Sequence, residues 1–147
     1  MTLANPKSLL PVSRKAIRRS RSLYFRLDDA KQLVKECEEN DLAVIGIEGL
    51  TLDEKGITPH LDLIADHTAL AVDWGGYSWD RFRSKCNASA LNFLEMAEKT
   101  ADKTNLVFDF ALMQSPEFDE FQRRHAIGRA SRGQRLNRSK RTIRGAG

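Results

Sequence analysis

The stretch "LAVIGIEGL", residues 42–50, decides the fold of this 147-residue chain. It begins as a continuous apolar run rich in branched residues, the pattern of a strand that is buried on both faces and central in its sheet. It ends in a carboxylate, Glu48, between Gly46 and Gly49. Phosphate binding would need a helix N-terminus after the glycines, and the following residues predict a loop instead. We interpret Gly46 as a close-packing position, Gly49 as the start of a turn, and Glu48 as an exposed charge at the end of the strand.

Helical and strand-like segments lie on both sides of this strand. Apolar residues recur at i, i+3, i+4 and i+7 from Ala30 to Cys37, and Asp28 or Asp29 can cap this amphipathic helix. The segment "HLDLIADHTALAVDW" alternates in polarity and predicts a hairpin that turns at residues 67–68. In full, we predict a helix over residues 28–40, a strand over 42–47, a loop over 48–59, a hairpin over 61–74, a helix over 88–102 and a strand over 106–112.

The order of these elements, α-β-β-β-α-β, predicts an α+β fold, an α/β domain in the broad sense. We expect a mainly antiparallel sheet of about four strands with two helices on one face. The last strand, "NLVFDFAL", alternates apolar and mixed positions, so that one of its faces packs against the core.

Charge divides the chain into three parts. Residues 23–114 carry nine Lys and Arg against seventeen Asp and Glu. Residues 1–22 carry six basic residues and no acid, and residues 115–147 carry nine basic and three acidic residues. We predict an acidic globular domain over 23–114 between a disordered basic arm, 1–22, and a disordered basic tail, 115–147.

Cysteine content and hydropathy bear on the cellular compartment. Cys37 and Cys86 are too few for a disulfide framework and have no partner at metal-ligand spacing. No apolar run reaches the roughly 18 residues of a membrane-spanning helix. These features predict a soluble, cytoplasmic protein. The Arg- and Ser-rich, acid-free arm 1–22 also has the composition of an organelle transit peptide, and this alternative stays open.

The sequence gives little support to catalysis. His60, Asp62, Asp66 and His67 lie close together, but the predicted hairpin points residues 60 and 62 along one face and leaves His67 at the turn, so no three ligands converge. No Ser-His-Asp or Cys-His spacing indicates a nucleophile with its base. We predict no catalytic residue, no metal site and no cofactor.

Carboxylates concentrate on one face of the predicted hairpin. Asp62 faces Asp73 across it, and Asp66 lies on the same face. Like charges directly opposite each other destabilise a sheet, although a solvated acidic face costs little at high dielectric. We interpret the cluster as a surface that binds a basic partner. The predicted partner-binding residues are the carboxylates Glu48, Asp53, Glu54, Asp62, Asp66 and Asp73, with Tyr77 and Trp79 as aromatic anchors.

The segment "DAKQLVKECEENDLAVIGIEG", followed by an acidic hairpin, a helix and the strand "NLVFDFAL", resembles the immunity protein of the anticodon-cleaving E-group colicin. The shared features are a short helix that runs directly into a glycine-flanked strand end, then a polar strand, a helix and a terminal strand. The resemblance covers residues 28–114 and matches Glu48 to the family's acidic position. It implies a small α/β protein that occupies the RNA cleft of a tRNA-cleaving toxin and mimics its substrate.

We therefore expect a cytoplasmic, non-catalytic inhibitor that binds a basic nuclease toxin domain and does not contact membranes. The rival hypothesis is a nucleic-acid-binding accessory protein, in which the basic arms contact phosphates without sequence specificity and the acidic domain is a scaffold.

Overall fold

The computed structural model describes residues 6–67 and 78–124. One sheet contains the strands β1 (Ile17–Arg19), β2 (Ser22–Arg26), β3 (Leu42–Asp53), β4 (Gly56–Asp66) and β5 (Leu106–Gln114). Its order is β1-β2-β5-β3-β4, and each neighbouring pair is antiparallel. The described helices are α1 (Leu27–Glu39), α2 (Trp79–Thr100) and α3 (residues 115–124). The predicted α+β class and antiparallel sheet are confirmed, with five strands where about four were expected.

The stretch quoted first forms the beginning of β3, which lies between β5 and β4 as predicted. Val44 and Ile47 are buried in the main core, and Phe108 and Phe110 of β5 join them there. The inner face of the sheet is covered by α1 and α2, which also pack on each other. The alternation in "NLVFDFAL" therefore assigned the packed face of β5 correctly.

Helix α1 follows its apolar spacing closely. Ala30, Leu33 and Cys37 are fully buried, as an amphipathic stripe requires. The predicted caps are wrong, because the N-cap position is Arg26, whose side chain makes no capping hydrogen bond. Asp28 and Asp29 lie in the first turn, where a carboxylate interacts favourably with the positive end of the helix dipole.

The predicted loop over residues 48–59 is wrong. Strand β3 continues to Asp53, a two-residue turn follows, and β4 begins at Gly56, whose φ of +128° suits glycine. Gly49 lies within β3, so it opens no turn. Pro59 is tolerated because β4 is an edge strand among the described strands and its pairing with β3 is irregular there.

The hairpin predicted over residues 61–74 is wrong for residues 61–66, which pair with β3 instead of with residues 69–74. Residues 61–66 are the end of β4 and pair with β3, so that Asp66 lies opposite Gly46 and Ile64 opposite Glu48. Asp62, Ile64 and Asp66 are exposed as expected, but Leu61, assigned to the apolar face, is 86% exposed. The second half, including Asp73, lies outside the described residues.

The N-terminal part differs from the predicted disordered arm. Two short 3-10 turns, Pro6–Leu9 and Pro11–Lys15, precede β1 and β2, and Leu10 and Val12 are buried in the main core. The Val12 amide donates to the Glu36 carboxylate at 2.8 Å. The globular domain therefore begins well before residue 23.

Helix α2 begins nine residues before the predicted start at residue 88. Ser78 caps it by accepting a hydrogen bond from the Arg81 amide at 3.2 Å. Phe82 and Cys86 extend its buried stripe, and Phe118 of α3 packs on Phe82, so residues 115–124 of the predicted disordered tail form a packed helix. None of the described helices combines the length and apolarity that crossing a membrane requires.

Asn87 of α2 fixes the start of β3. Its side-chain oxygen accepts from the Val44 amide at 2.9 Å, and its side-chain nitrogen donates to the Leu42 carbonyl at 3.0 Å and to Glu38 of α1 at 2.6 Å. These groups need such a partner because β4 pairs with β3 only from Gly46 onward. One buried amide thus joins both helices to the central strand.

We predict that Gly49→Ala destabilises the fold by about 1–3 kcal/mol, since an added methyl group overpacks the core. An alanine Cβ at position 49 would lie 2.8 Å from the Leu63 Cβ. Gly46→Ala is the matched control, because its added methyl group meets Ala111 at 3.4 Å, an ordinary contact. Urea unfolding of both variants provides the measurement. Equal stabilities would contradict the assignment of Gly49 as the close-packing glycine.

We also predict that Asn87→Ala costs about 2–3 kcal/mol, because buried backbone groups at Leu42 and Val44 lose their partner. Ser84→Ala removes only an exposed hydrogen bond to Glu38 and should change stability by less than about 0.5 kcal/mol. Thermal and urea unfolding test the pair. A cost at Asn87 no larger than at Ser84 would show that the amide does not anchor β3.

Candidate functional site

The side of the sheet away from α1 and α2 is open around Glu48, whereas Tyr24, Leu50 and Val107 form a small buried cluster further along it. Ile47, Leu63 and Phe110 point into the core, so the residues that alternate with them point to the other side. Glu48 lies there on β3, directly between Ile64 of β4 and Asp109 of β5 in the strand register. The central strand therefore presents a carboxylate on this face.

Four carboxylates share this region, and we name them the acidic face. Glu48 is directly opposite Asp109, so their Cβ atoms lie about 4.5–5.5 Å apart. Glu48 is diagonal to Asp66, and these two Cβ atoms lie about 7–8 Å apart. Asp62 continues the exposed alternation of β4. The acidic face consists of Glu48, Asp62, Asp66 and Asp109.

A shallow concavity of about 340 Å³ lies at the centre of the acidic face. Glu48, Asp66 and Asp109 contribute its charged lining, and Ile64 and Ala111 are among its apolar residues. Ile64 is 52% exposed, so an apolar contact surface lies beside the carboxylates. Such a mixture of charge and exposed apolar area is suited to contact with another macromolecule.

Asp109 of the acidic face interacts with a cation from the same chain. Lys7, in the first 3-10 turn, approaches Asp109 to 3.1 Å and donates to the Phe110 carbonyl at 2.7 Å. The amide of Phe110 also donates to the Asp109 carboxylate. Glu48 has no salt bridge within residues 6–67 and 78–124. The negative charge at the centre of the face is therefore retained.

Two predicted contact residues lie elsewhere. Asp53 and Glu54 are at the β3–β4 turn, about 17 Å along β3 from Glu48 at the rise of an extended strand. Asp53 accepts a hydrogen bond from the Lys55 amide and stabilises this turn. The prediction that both residues extend the same negative surface is wrong, because the segment between them and Glu48 is a strand and not a folded loop.

Of the two predicted aromatic anchors, Tyr77 and Trp79, the structure describes Trp79. Tyr77, like Asp73, lies outside the described residues. Trp79 is half-buried in a cluster with Phe82 and Phe118, with ring centroids 6.1 Å and 5.6 Å away. Its indole nitrogen donates to the Asp41 carboxylate at 2.6 Å. Trp79 thus has a structural role at the junction of α1 and α2.

The cysteine side chains that the structure describes are buried, and both described histidine rings contact other groups of the fold. Burial raises the pKa of Cys37 and of Cys86 to about 12, so both thiols stay protonated. The His67 ring bonds to the Val44 carbonyl at 3.0 Å, and because a carbonyl only accepts, Nδ1 carries the proton. His60 contacts the Thr51 hydroxyl. Across residues 6–67 and 78–124 no three His, Cys, Asp or Glu side chains are arranged to hold a metal ion.

Sequence reasoning missed two residues of this face. Asp109 was assigned to the outward side of the last strand, but its position opposite Glu48 requires that β5 pairs with β3. A carboxylate in an otherwise apolar strand was the available signal. Lys7 was assigned to a disordered arm, and no local pattern links it to Asp109 across 102 residues.

Comparison with protein-family models, with curated proteins and with solved structures gives no match to this chain. The resemblance to the colicin immunity family therefore stays a prediction from the residues quoted above, and a functional assignment has to be argued from the acidic face.

Trp79→Phe should raise the pKa of Asp41 toward its ordinary value. The pKa is lowered mainly by the indole hydrogen bond and further by Arg83, which lies 2.6 Å away. The stabilisation from a lowered pKa is present above the unfolded pKa, about 3.9, and is lost as pH falls through the folded pKa. Carboxyl NMR titration of both proteins tests this, and an unchanged Asp41 pKa would contradict it.

Proposed function

We propose that this protein is a non-catalytic, cytoplasmic immunity-type inhibitor, which binds the basic nuclease domain of a ribonuclease toxin and blocks its RNA-binding cleft. The contact surface is the acidic face. The observation that carries the proposal is the placement of Glu48 opposite Asp109 on the two central strands of the open face. Lys7 already offsets the charge of Asp109, whereas Glu48 has no salt bridge within residues 6–67 and 78–124 and is available to a basic partner.

Rigidity supports the same proposal. Strand β3, which carries Glu48, is paired on both sides, and Asn87 fixes its first residues. Carboxylates on such a strand lose little conformational entropy on binding, because their backbone is already ordered. Glu48, Asp66 and Asp109 are held on neighbouring strands, with Cβ atoms about 4.5–8 Å from that of Glu48. Carboxylates fixed at such distances imitate the repeated negative charge of an RNA backbone.

Charge also supports a basic partner. A patch of one sign on a small protein steers an oppositely charged partner and speeds association, to as much as about 10⁸–10⁹ M⁻¹s⁻¹ at low salt. The substrate cleft of a nuclease is cationic, since it binds phosphates. The apolar surface at Ile64 would lie at the centre of such an interface, with carboxylates around it.

Glu48→Lys should weaken binding and leave the fold intact or slightly stabilised. The new ammonium group would lie opposite Asp109, which Lys7 already contacts, and would replace a like charge by an opposite one while facing the cationic cleft of the toxin. We expect association with the nuclease domain of an anticodon-cleaving colicin, the probe for this test, to slow by about tenfold or more at low salt. Stopped-flow association, tRNA cleavage and urea unfolding give the three readouts.

Glu54→Lys is the matched control for this experiment. It makes the same change of charge at the exposed β3–β4 turn, away from the acidic face, and should preserve inhibition. Equal effects of the two variants would show that binding depends on the net charge of the protein and not on the position of Glu48. Full inhibition of tRNA cleavage by Glu48→Lys would remove the acidic face as the contact surface.

A further inference from the structure

A second charged surface lies on the β1–β2 hairpin and the turn before it. Its six basic side chains are all exposed, and residues 1–27 contain no acid. The hairpin is anchored through Leu23 and Phe25, which are buried in the main core. We name these six residues the basic hairpin surface: Arg14, Lys15, Arg18, Arg19, Arg21 and Arg26.

The fold does not use these charges for internal pairing. In the part of the chain that the structure describes, salt bridges involve the cations Lys7, Lys31, Arg83 and Arg124. None of the six residues of the basic hairpin surface is among them. The nearest acids along the chain, Asp28 and Asp29, follow Arg26 on α1 and mark the end of the positive region.

A groove of about 300 Å³ runs along this surface on the open face of the sheet. Arg19 and Arg26 line it with Asn105, and its accessible apolar part is formed by the half-buried Ile17 and Leu52, because Val107 beneath them is only 2% exposed. The register places Arg26 opposite Val107 and Arg19 opposite Ser22, so that the two arginines lie about 13 Å apart along the hairpin. The groove thus combines two guanidinium groups, an amide and an apolar floor.

We propose that the basic hairpin surface binds the backbone of single-stranded nucleic acid, with bases lying on the apolar floor of the groove. Arginine suits this role because its planar group binds phosphate in a bidentate manner and stacks on flat rings. Two guanidinium groups in line contact successive parts of one strand. An acidic peptide can match the charges, but a nucleic acid strand presents a flat ring with every backbone charge, and such rings can lie over Ile17 and Leu52.

This proposal is independent of the acidic face, because the two surfaces share no residue. It also changes the rival hypothesis drawn from the sequence. The phosphate contacts are assigned to an ordered hairpin with a groove, in place of a disordered arm. The chemistry common to RNA and DNA is the sugar-phosphate backbone, so both serve as probes.

The test measures binding of the full chain to labelled oligouridine and oligodeoxythymidine by fluorescence anisotropy over a range of salt concentrations. Each phosphate contact contributes about 0.7 to the slope of log K against log salt for single strands. Replacing both groove arginines, Arg19→Gln and Arg26→Gln, should reduce that slope by about 1.4 and weaken binding. Both side chains are exposed, so thermal unfolding should be unchanged.

The double variant Arg123→Gln and Arg124→Gln is the charge-matched control on α3, and it should keep the slope. A slope unchanged by the groove variant, or lowered equally by both variants, would overturn the proposal. Competition by polyglutamate as effective as by either oligonucleotide would also overturn it in favour of an acidic protein partner. Comparison of the two oligonucleotides decides between RNA and DNA as the preferred strand.

Discussion

The hydrogen bonds of the first residues of β3 are the constraint on which the rest of the structure depends. β3 is the strand between β5 and β4, but β4 does not extend along its beginning. Asn87 binds the Val44 amide and the Leu42 carbonyl, while the His67 ring binds the Val44 carbonyl. The amide orientation is determined by its partners, since a reversed amide would place donor against donor and acceptor against acceptor. Each buried backbone group left unpaired would cost about 1–3 kcal/mol.

The same strand sets the geometry of the acidic face through a steric constraint. Gly49 leaves the space that Leu63 occupies, so β4 lies close against β3 at this point. That approach holds the register in which Ile64 lies opposite Glu48, because a slip of one residue would turn Leu63 to solvent. The positions of the carboxylates are thus determined by packing on the inner side of the sheet. A surface specified in this way keeps its shape whether or not a partner is present.

Elements with a strong local period were predictable, and elements whose apolar residues lie among charges were not. The stripe from Ala30 to Cys37 and the run of β3 carry their own burial pattern. The β1–β2 hairpin does not, because the density of arginines around Leu23 and Phe25 resembles a disordered arm. Acidic side chains could be identified as a cluster, but only strand pairing decides which of them meet. The pairing of β3 with β5 places Asp109 beside Glu48, and the pairing of β3 with β4 places the turn with Asp53 and Glu54 far from Glu48.

The two charged surfaces lie on one sheet, and their separation has a consequence for recognition. A basic protein is attracted by the acidic face and repelled by the basic hairpin surface, so only part of its approaching orientations is favourable. A nucleic acid strand meets the opposite field and is directed away from Glu48. Each surface therefore disfavours the partner that we propose for the other surface, which would give specificity by repulsion as well as by attraction. The fixed positions of the charges on the sheet are sufficient for this selection between a basic protein and a nucleic acid strand, since neither case requires a conformational change.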